Sequence, residues 1–249
     1  MSIFRKIIIW CVIACPSAGF ADTLLTNPIS DRWHLVLGLS GGPAWTQAGE
    51  TQTFFLQPDV EKSYVAKKNN QALGSGELFL GVQKNLHSSA TGQIGIAVAG
   101  ATAVKLTGNI LEDADPSFNN FNYAYKINHA YLGLKGRLIA GTMYGLQPYL
   151  SGSAGVGFNR AYNFSISPII SEEVPAPAFT ANTNAAFSYT LGIGLQKSLS
   201  ANWQLGVGYE FADWGSYDLG AASGQTLNQG LSLDHVYVQQ LQFTVIYID

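Results

Sequence analysis

Along much of the chain, apolar residues alternate with small or polar ones at a period of two. Across 185–196 the odd positions read Ala185, Phe187, Tyr189, Leu191, Ile193 and Leu195, and the even positions Ala186, Ser188, Thr190, Gly192, Gly194 and Gln196. A strand points successive side chains to opposite faces, so this run predicts a strand with one apolar face and one face of small residues. The alternation recurs at Trp33, Leu35, Leu37 and Leu39, at Ile94, Ile96, Val98, Thr102 and Val104, and at Leu150, Ala154, Val156 and Phe158. It returns at Trp203, Leu205, Val207, Tyr209 and Phe211, and more weakly across 76–84, 123–138 and 235–247. The pattern predicts eight strands.

A soluble β-sandwich also alternates, but its second face meets water and carries Lys, Glu and Arg. Here the second face is Gly, Ala, Ser, Thr and Gln, which suits the interior of an eight-stranded barrel, only wide enough for side chains to fill. The connections alternate as well: 46–73, 107–121, 162–183 and 215–232 are long, whereas 85–92, 139–147 and 198–202 are short. Short periplasmic turns and longer extracellular loops mark outer-membrane barrels, and an even strand count brings both chain ends to the periplasmic side. Beyond Asp22 no apolar run approaches the ~20 residues of a transmembrane helix. The expected fold is all-β: an eight-stranded antiparallel up-and-down transmembrane β-barrel over 22–249.

Composition sharpens this picture. The 249 residues are 47% apolar and only 12% charged, about half the charge usual for a soluble domain (~25%). Residues 1–21 read as a secretory signal peptide. Arg5 and Lys6 form a positive start, Ile7–Ala14 an apolar stretch, and Gly19-Phe20-Ala21 a small-residue cleavage site. Both cysteines, Cys11 and Cys15, fall inside it. An alternative reads Val12-Ile13-Ala14-Cys15 as a lipoprotein box with Cys15 lipidated. Removing Arg5 and Lys6 leaves 11 basic and 16 acidic residues, a net charge of −5, which gives nucleic acid no basic surface to bind.

The leader, the eight alternating runs and the final strand Gln239-Gln240-Leu241-Gln242-Phe243-Thr244-Val245-Ile246-Tyr247 resemble the small outer-membrane β-barrel proteins. That group includes the OmpA membrane domain, OmpX and the opacity proteins. Gly206–Gly215 looks like the penultimate strand of such proteins, and Ile248-Asp249 follow the aromatic that usually ends them. The resemblance implies a monomer in a Gram-negative outer membrane, in contact with outer-membrane lipid and lipopolysaccharide. It also implies delivery by the barrel-assembly machinery during biogenesis.

Within this frame, Trp33, Trp203 and Tyr247 have outward parity at the periplasmic end and form one expected aromatic girdle. Phe158, Phe187, Tyr209, Phe211 and Tyr237 form the other. Glu77, Lys105, Lys135, Arg137, Gln196 and Glu210 have lumen parity, as do Gln240 and Gln242. A lysine or arginine facing lipid at mid-depth would cost ~2–4 kcal/mol, so these side chains are expected to form a polar network that plugs the lumen. Glu77 and Lys105 are expected to pair near the extracellular end, with Lys135 and Arg137 near the periplasmic end and Glu210 higher.

Chemistry-bearing motifs are sparse. Gly152-x-x-Gly155-x-Gly157, Gly192-x-Gly194 and Gly206-x-Gly208 echo phosphate loops but lie inside strands, where small lumen residues account for them. His34, His87, His129 and His235 lack metal spacing, and Glu112, Asp113 and Asp115 lack EF-hand spacing. Ser232 and His235 are the nearest nucleophile–base pair in sequence. No catalytic, cofactor-binding or metal-ligating residue is assigned. The expected function is structural or surface-interacting, through four extracellular loops that could meet a host or surface ligand. The alternatives are a narrow porin-like channel for small solutes and an outer-membrane lipid A-modifying enzyme.

Overall fold

The computed structural model describes residues 32–68, 70–87, 89–170 and 174–249; the expected leader, 1–21, lies outside them. The strands in chain order are β1 (His34–Thr46), β2 (Gln52–Gln57), β3 (Val60–Ala66), β4 (Gln71–His87), β5 (Ala90–Glu112), β6 (Asn119–Ala140) and β7 (Gln147–Pro168). They continue with β8 (Phe179–Thr180), β9 (Asn182–Ser198), β10 (Trp203–Asp213), β11 (Tyr217–Asp218), β12 (Gly220–Ala222), β13 (Ser232–Leu233) and β14 (Tyr237–Ile248).

Eight of these close a ring. β1 pairs with β4, β4 with β5, β5 with β6, β6 with β7, β7 with β9, β9 with β10, and β10 with β14, all antiparallel. β14 then pairs with β1, from Val36 opposite Ile248 to Thr46 opposite Val238. A closed ring satisfies the backbone of every wall strand and leaves no edge, which is the condition for crossing a bilayer without helices. The fold is thus the eight-stranded antiparallel barrel.

The alternation has the expected sense. On β14 the odd positions 237–247 face outward and the even positions are buried. Leu39, Leu134, Phe187, Ile193 and Phe243 are among the most exposed apolar residues. On β7 the outward apolar row runs from Leu150 to Phe158, the nine residues of a tilted membrane crossing. Inside, glycines make room for rings. Tyr149 lies across the lumen faces of β9 and β10, where a methyl group on Gly194 or Gly208 would overlap its ring or hydroxyl.

The half of the barrel away from the chain ends departs from the expected loops. β5, β6 and β7 run well past the apolar band, so the second loop shrinks to 113–118 with a single turn of 3-10 helix. The first loop contains the β2–β3 hairpin, which adds to the upper part of β5 from Lys62 opposite Glu112 to Ala66 opposite Gly108. The lumen of this half holds the larger apolar core. Tyr64, Tyr123, Phe164 and Phe179 pack with ring centroids 4.8–6.5 Å apart.

Candidate functional site

The lumen is filled in layers. At its middle Lys135 of β6 lies between two carboxylates. Its Nζ donates to Glu77 Oε1 and Oε2 at 2.6 and 2.8 Å and to Glu210 Oε2 at 2.9 Å. All three side chains are at most 5% exposed. Gln240 and Gln242 of β14 donate to the other oxygen of Glu210 at 2.6 and 3.1 Å. Burying one cation and two anions is costly unless their hydrogen bonds are met, and here each carboxylate receives two or three.

Below this layer Arg137 stacks over the Tyr149 ring at 4.5 Å. Gln196 donates to Gln204 Oε1 at 2.9 Å, while at the height of the ion layer Ser153 and Thr190 share a hydrogen bond. These side chains occupy the space that a channel would need.

Lys105 does not join the network, and Glu77 takes Lys135 instead. The β5–β6 register shifts between Ala101 and Val104, a bulge that absorbs Thr102 and Ala103. A one-residue slip moves every later side chain to the other face. Val104 and Leu106 therefore point into the core and Lys105 is exposed. The expected depths of Lys135 and Glu210 also change. Tilted strands slide past one another in a barrel, so counting from strand ends does not give depth.

Above the ion layer the segment between β10 and β14 folds inward as a cap. Trp214, Tyr217, Leu219, Leu231, Leu233 and Val236 are all buried. The Trp214 carbonyl accepts from Asn159 Nδ2 and Ser188 Oγ, each at 2.7 Å, and Asn159 Nδ2 also donates to the Ser216 carbonyl. Gly215 follows with φ +79°, and a side chain there would strike the Phe187 carbonyl. The cap is tied to the β2–β3 hairpin, since the amides of Thr226 and Leu227 donate to the Leu56 carbonyl. Between cap and ion layer lies a cavity of about 30 Å³ bordered by Ser40, Glu77, His129, Glu210 and Trp214. That is room for about two water molecules.

The girdle residues lie on the outer surface. Trp203 and Tyr247 meet edge to face at 5.2 Å, and Lys84 lies over Trp33 at 5.5 Å. Phe158, Phe187 and Tyr209 are exposed and Phe211 is half-buried, stacked on Tyr237. His235 does not engage Ser232. Its Nδ1 is 2.8 Å from Asp213 Oδ2, while Ser232 Oγ accepts from Gln52. Glu112 pairs with Lys62, and Asp115 accepts from the Ser117 amide. Among the described residues no group of His, Cys, Asp and Glu is placed to hold a metal ion.

Sequence reasoning missed the cap, the upper aromatic core and the Asp213–His235 pair. The usable signal was the spacing of Trp214, Tyr217, Leu219, Leu231, Leu233 and Val236 within a segment otherwise rich in Gly, Ser and Gln.

No protein-family model matches the chain, and no curated protein matches it. Among solved structures it is similar to Neisserial surface protein A, at 12% identity and a TM-score of 0.39, covering 86% of this chain and 96% of that one. The outer membrane protein OprG from Pseudomonas aeruginosa gives 13% and 0.40, covering 85% and 95%. The attachment invasion locus protein Ail of Yersinia pestis gives 12% and 0.33, covering 87% and 97%. The closed ring and its outward apolar belt make this chain an eight-stranded antiparallel β-barrel with an outer face suited to lipid.

Proposed function

We propose that this protein is a monomeric, non-enzymatic surface-interaction barrel whose lumen is sealed and whose extracellular half is a folded platform for a ligand. The observation that carries the reading is the double closure of the lumen, by the Lys135–Glu77–Glu210 layer and by the Trp214 cap above it. A porin-like role would need a continuous water path where these side chains pack.

The platform supports the same reading. Its loops are fastened to a core and to one another, so their outer surface keeps a fixed shape, as binding loops on a rigid scaffold do. Gln52, Thr53, Asn182, Asp218, Asn228 and Gln229 border a recess on that surface, rich in amides and hydroxyls that can hydrogen-bond a polar ligand. The signal peptide and the assembly machinery belong to this proposal as the route to the outer membrane.

Three measurements test it. Purified protein in planar bilayers should give no steady conductance; a stable open channel would overturn the sealed lumen. Lipid A from strains with and without the gene should have the same mass spectrum, and an altered acyl pattern would assign an enzyme. Cells lacking the gene should lose attachment to a host or abiotic surface and keep their permeability to small solutes; the reverse result would favour the channel.

A further inference from the structure

The recess between β2, the start of β9 and the cap has a volume of about 750 Å³, within the ~300–1,000 Å³ of small-molecule sites. Thr53, Asn182, Asn228 and Gln229 on its border are exposed, and Phe54 and Leu219 supply its apolar part. Gln52, Phe54 and Leu56 share one face of β2 because they stand two residues apart. Phe54 stacks on Tyr64 at 5.4 Å, which fixes its ring.

Some of the polar groups here are spent on the fold and others are not. Gln52 donates to the Ser232 carbonyl and hydroxyl, each at 2.9 Å, and accepts from the Ser232 amide at 3.1 Å. Asp218 Oδ2 accepts from Asn184 Nδ2 at 2.9 Å, which holds the carboxylate in place and leaves Oδ1 to accept from a ligand. Asn228, at φ 59°, donates to the Phe55 carbonyl and keeps its Oδ1. Among the described residues the side-chain amides of Asn182 and Gln229 make no hydrogen bond.

These groups select a ligand by what they exclude. Among the described residues no Lys, Arg or His borders the recess, and its one charge is the Asp218 carboxylate. Phosphate, sulfate and other anionic groups therefore meet repulsion without a counter-charge. An extended peptide has no free strand edge to join, because the Phe55 carbonyl is taken by Asn228 and the Leu56 carbonyl by the Thr226 and Leu227 amides. The chemistry that remains is a neutral ligand with donors and acceptors side by side and some C–H surface. A sugar hydroxyl donates and accepts at once, which suits one carboxylate and two primary amides in a single recess. We propose that the recess binds a neutral oligosaccharide of a facing surface, with Asp218, Asn182 and Gln229 hydrogen-bonding its hydroxyls and Phe54 as the apolar contact. The fold-held walls keep the ordering cost of binding low. The site rests on the surface-interaction reading above and gives its ligand a class.

The test is binding of the full-length protein in detergent to an immobilised array of neutral, sialylated and sulfated oligosaccharides and of extended peptides. Wild type should bind neutral sugars at least about tenfold better than the sialylated or sulfated forms of the same sugars. Asn182→Ala/Gln229→Ala removes no hydrogen bond of the fold, so it should keep its heat-dependent shift on SDS gels and lose at least about tenfold in sugar binding. No neutral sugar bound by wild type, or equal binding of the charged forms, would overturn the site without recourse to any variant. Undiminished binding by the folded double variant would do the same, and capture of peptides in place of sugars would overturn the ligand class. Cell attachment separates this site from the reading beneath it. Attachment that needs the gene but survives the double variant leaves the surface role standing and removes the sugar site. Sugar binding with no gene-dependent attachment removes the surface role and keeps the site.

Discussion

His129 and Trp214 stack face to face, with ring centroids 4.4 Å apart and planes within 3° of parallel. One ring belongs to the barrel wall and the other to the cap, so this contact fastens the plug to its housing. On its other side His129 bonds through Nδ1 to Asn159 Oδ1 at 2.7 Å, and Asn159 in turn donates to the cap backbone.

Trp214→Ala should therefore release the cap. Truncating a buried Trp costs about 3–5 kcal/mol, part of it as a cavity. The expected outcome is a barrel that still folds but unfolds at lower urea concentration, with brief conductance bursts in planar bilayers that wild type lacks. Unchanged urea midpoint and silent bilayers would remove the cap from the account of closure.

Lys135→Met should be more damaging than its size change implies. It leaves Glu77 and Glu210 buried without their cation, and breaking a buried pair from one side costs about 3–5 kcal/mol. The variant Glu77→Gln/Lys135→Met/Glu210→Gln should recover much of that loss, because no charge is left unmatched. Urea titrations in detergent micelles read both; a triple variant no more stable than the single one would contradict the ion-layer argument.

A change at the lipid face should act differently. Leu134 is 65% exposed on the outer wall in the middle of β6. Leu134→Arg should cost about 2–4 kcal/mol when the protein folds into phospholipid vesicles. The same substitution at Asn128, level with Arg160, should cost about 1 kcal/mol or less. Equal costs would misplace the apolar band.

Alkali should loosen the half away from the chain ends before the wall. Burial pushes the Tyr123 phenol up to about 12 and raises those of Tyr64, Tyr125 and Tyr217 as well. Below the ordinary phenol value of ~10 both folded and unfolded forms are neutral, and this stabilisation is fully present. Above ~10 the unfolded form ionises while the folded one resists. Stability then falls by up to about 1.4 kcal/mol per pH unit per tyrosine until the folded groups titrate. Tyrosinate absorbance followed from pH 9 to 12.5 should show a late, cooperative rise that is lost in Tyr64→Phe/Tyr123→Phe.

The wall was legible because its physical constraint is periodic: lipid outside and a narrow space inside force alternation at every crossing. The lumen parity of Glu77, Lys135, Arg137 and Glu210 followed from it directly. Lys105 did not, because Thr102 and Ala103 suit either face and nothing in them signals the bulge. The partners of Lys135 were hidden too, since they depend on strand stagger and on reach across the lumen. The cap was illegible for another reason. A loop of mixed Leu, Tyr, Gly and Ser reads alike whether it is free in water or folded onto a core, and only a three-dimensional cavity of the right shape selects the second.

The position of the cap within the chain bears on the barrel's mechanical strength. The ring is fastened at one seam, between β1 and β14, and a barrel pulled apart would unzip there. The cap is the connector inside the last hairpin, β10–β14, yet it is anchored to β6, β7 and β9 through His129, Asn159 and Ser188. Peeling β14 away must therefore drag the connector out of the lumen and break contacts with the far wall at the same moment. The plug thus doubles as a crossbar, coupling the seam where the two ends of the chain meet to strands elsewhere in the wall. Under tension the seam and the cap should give way in one step.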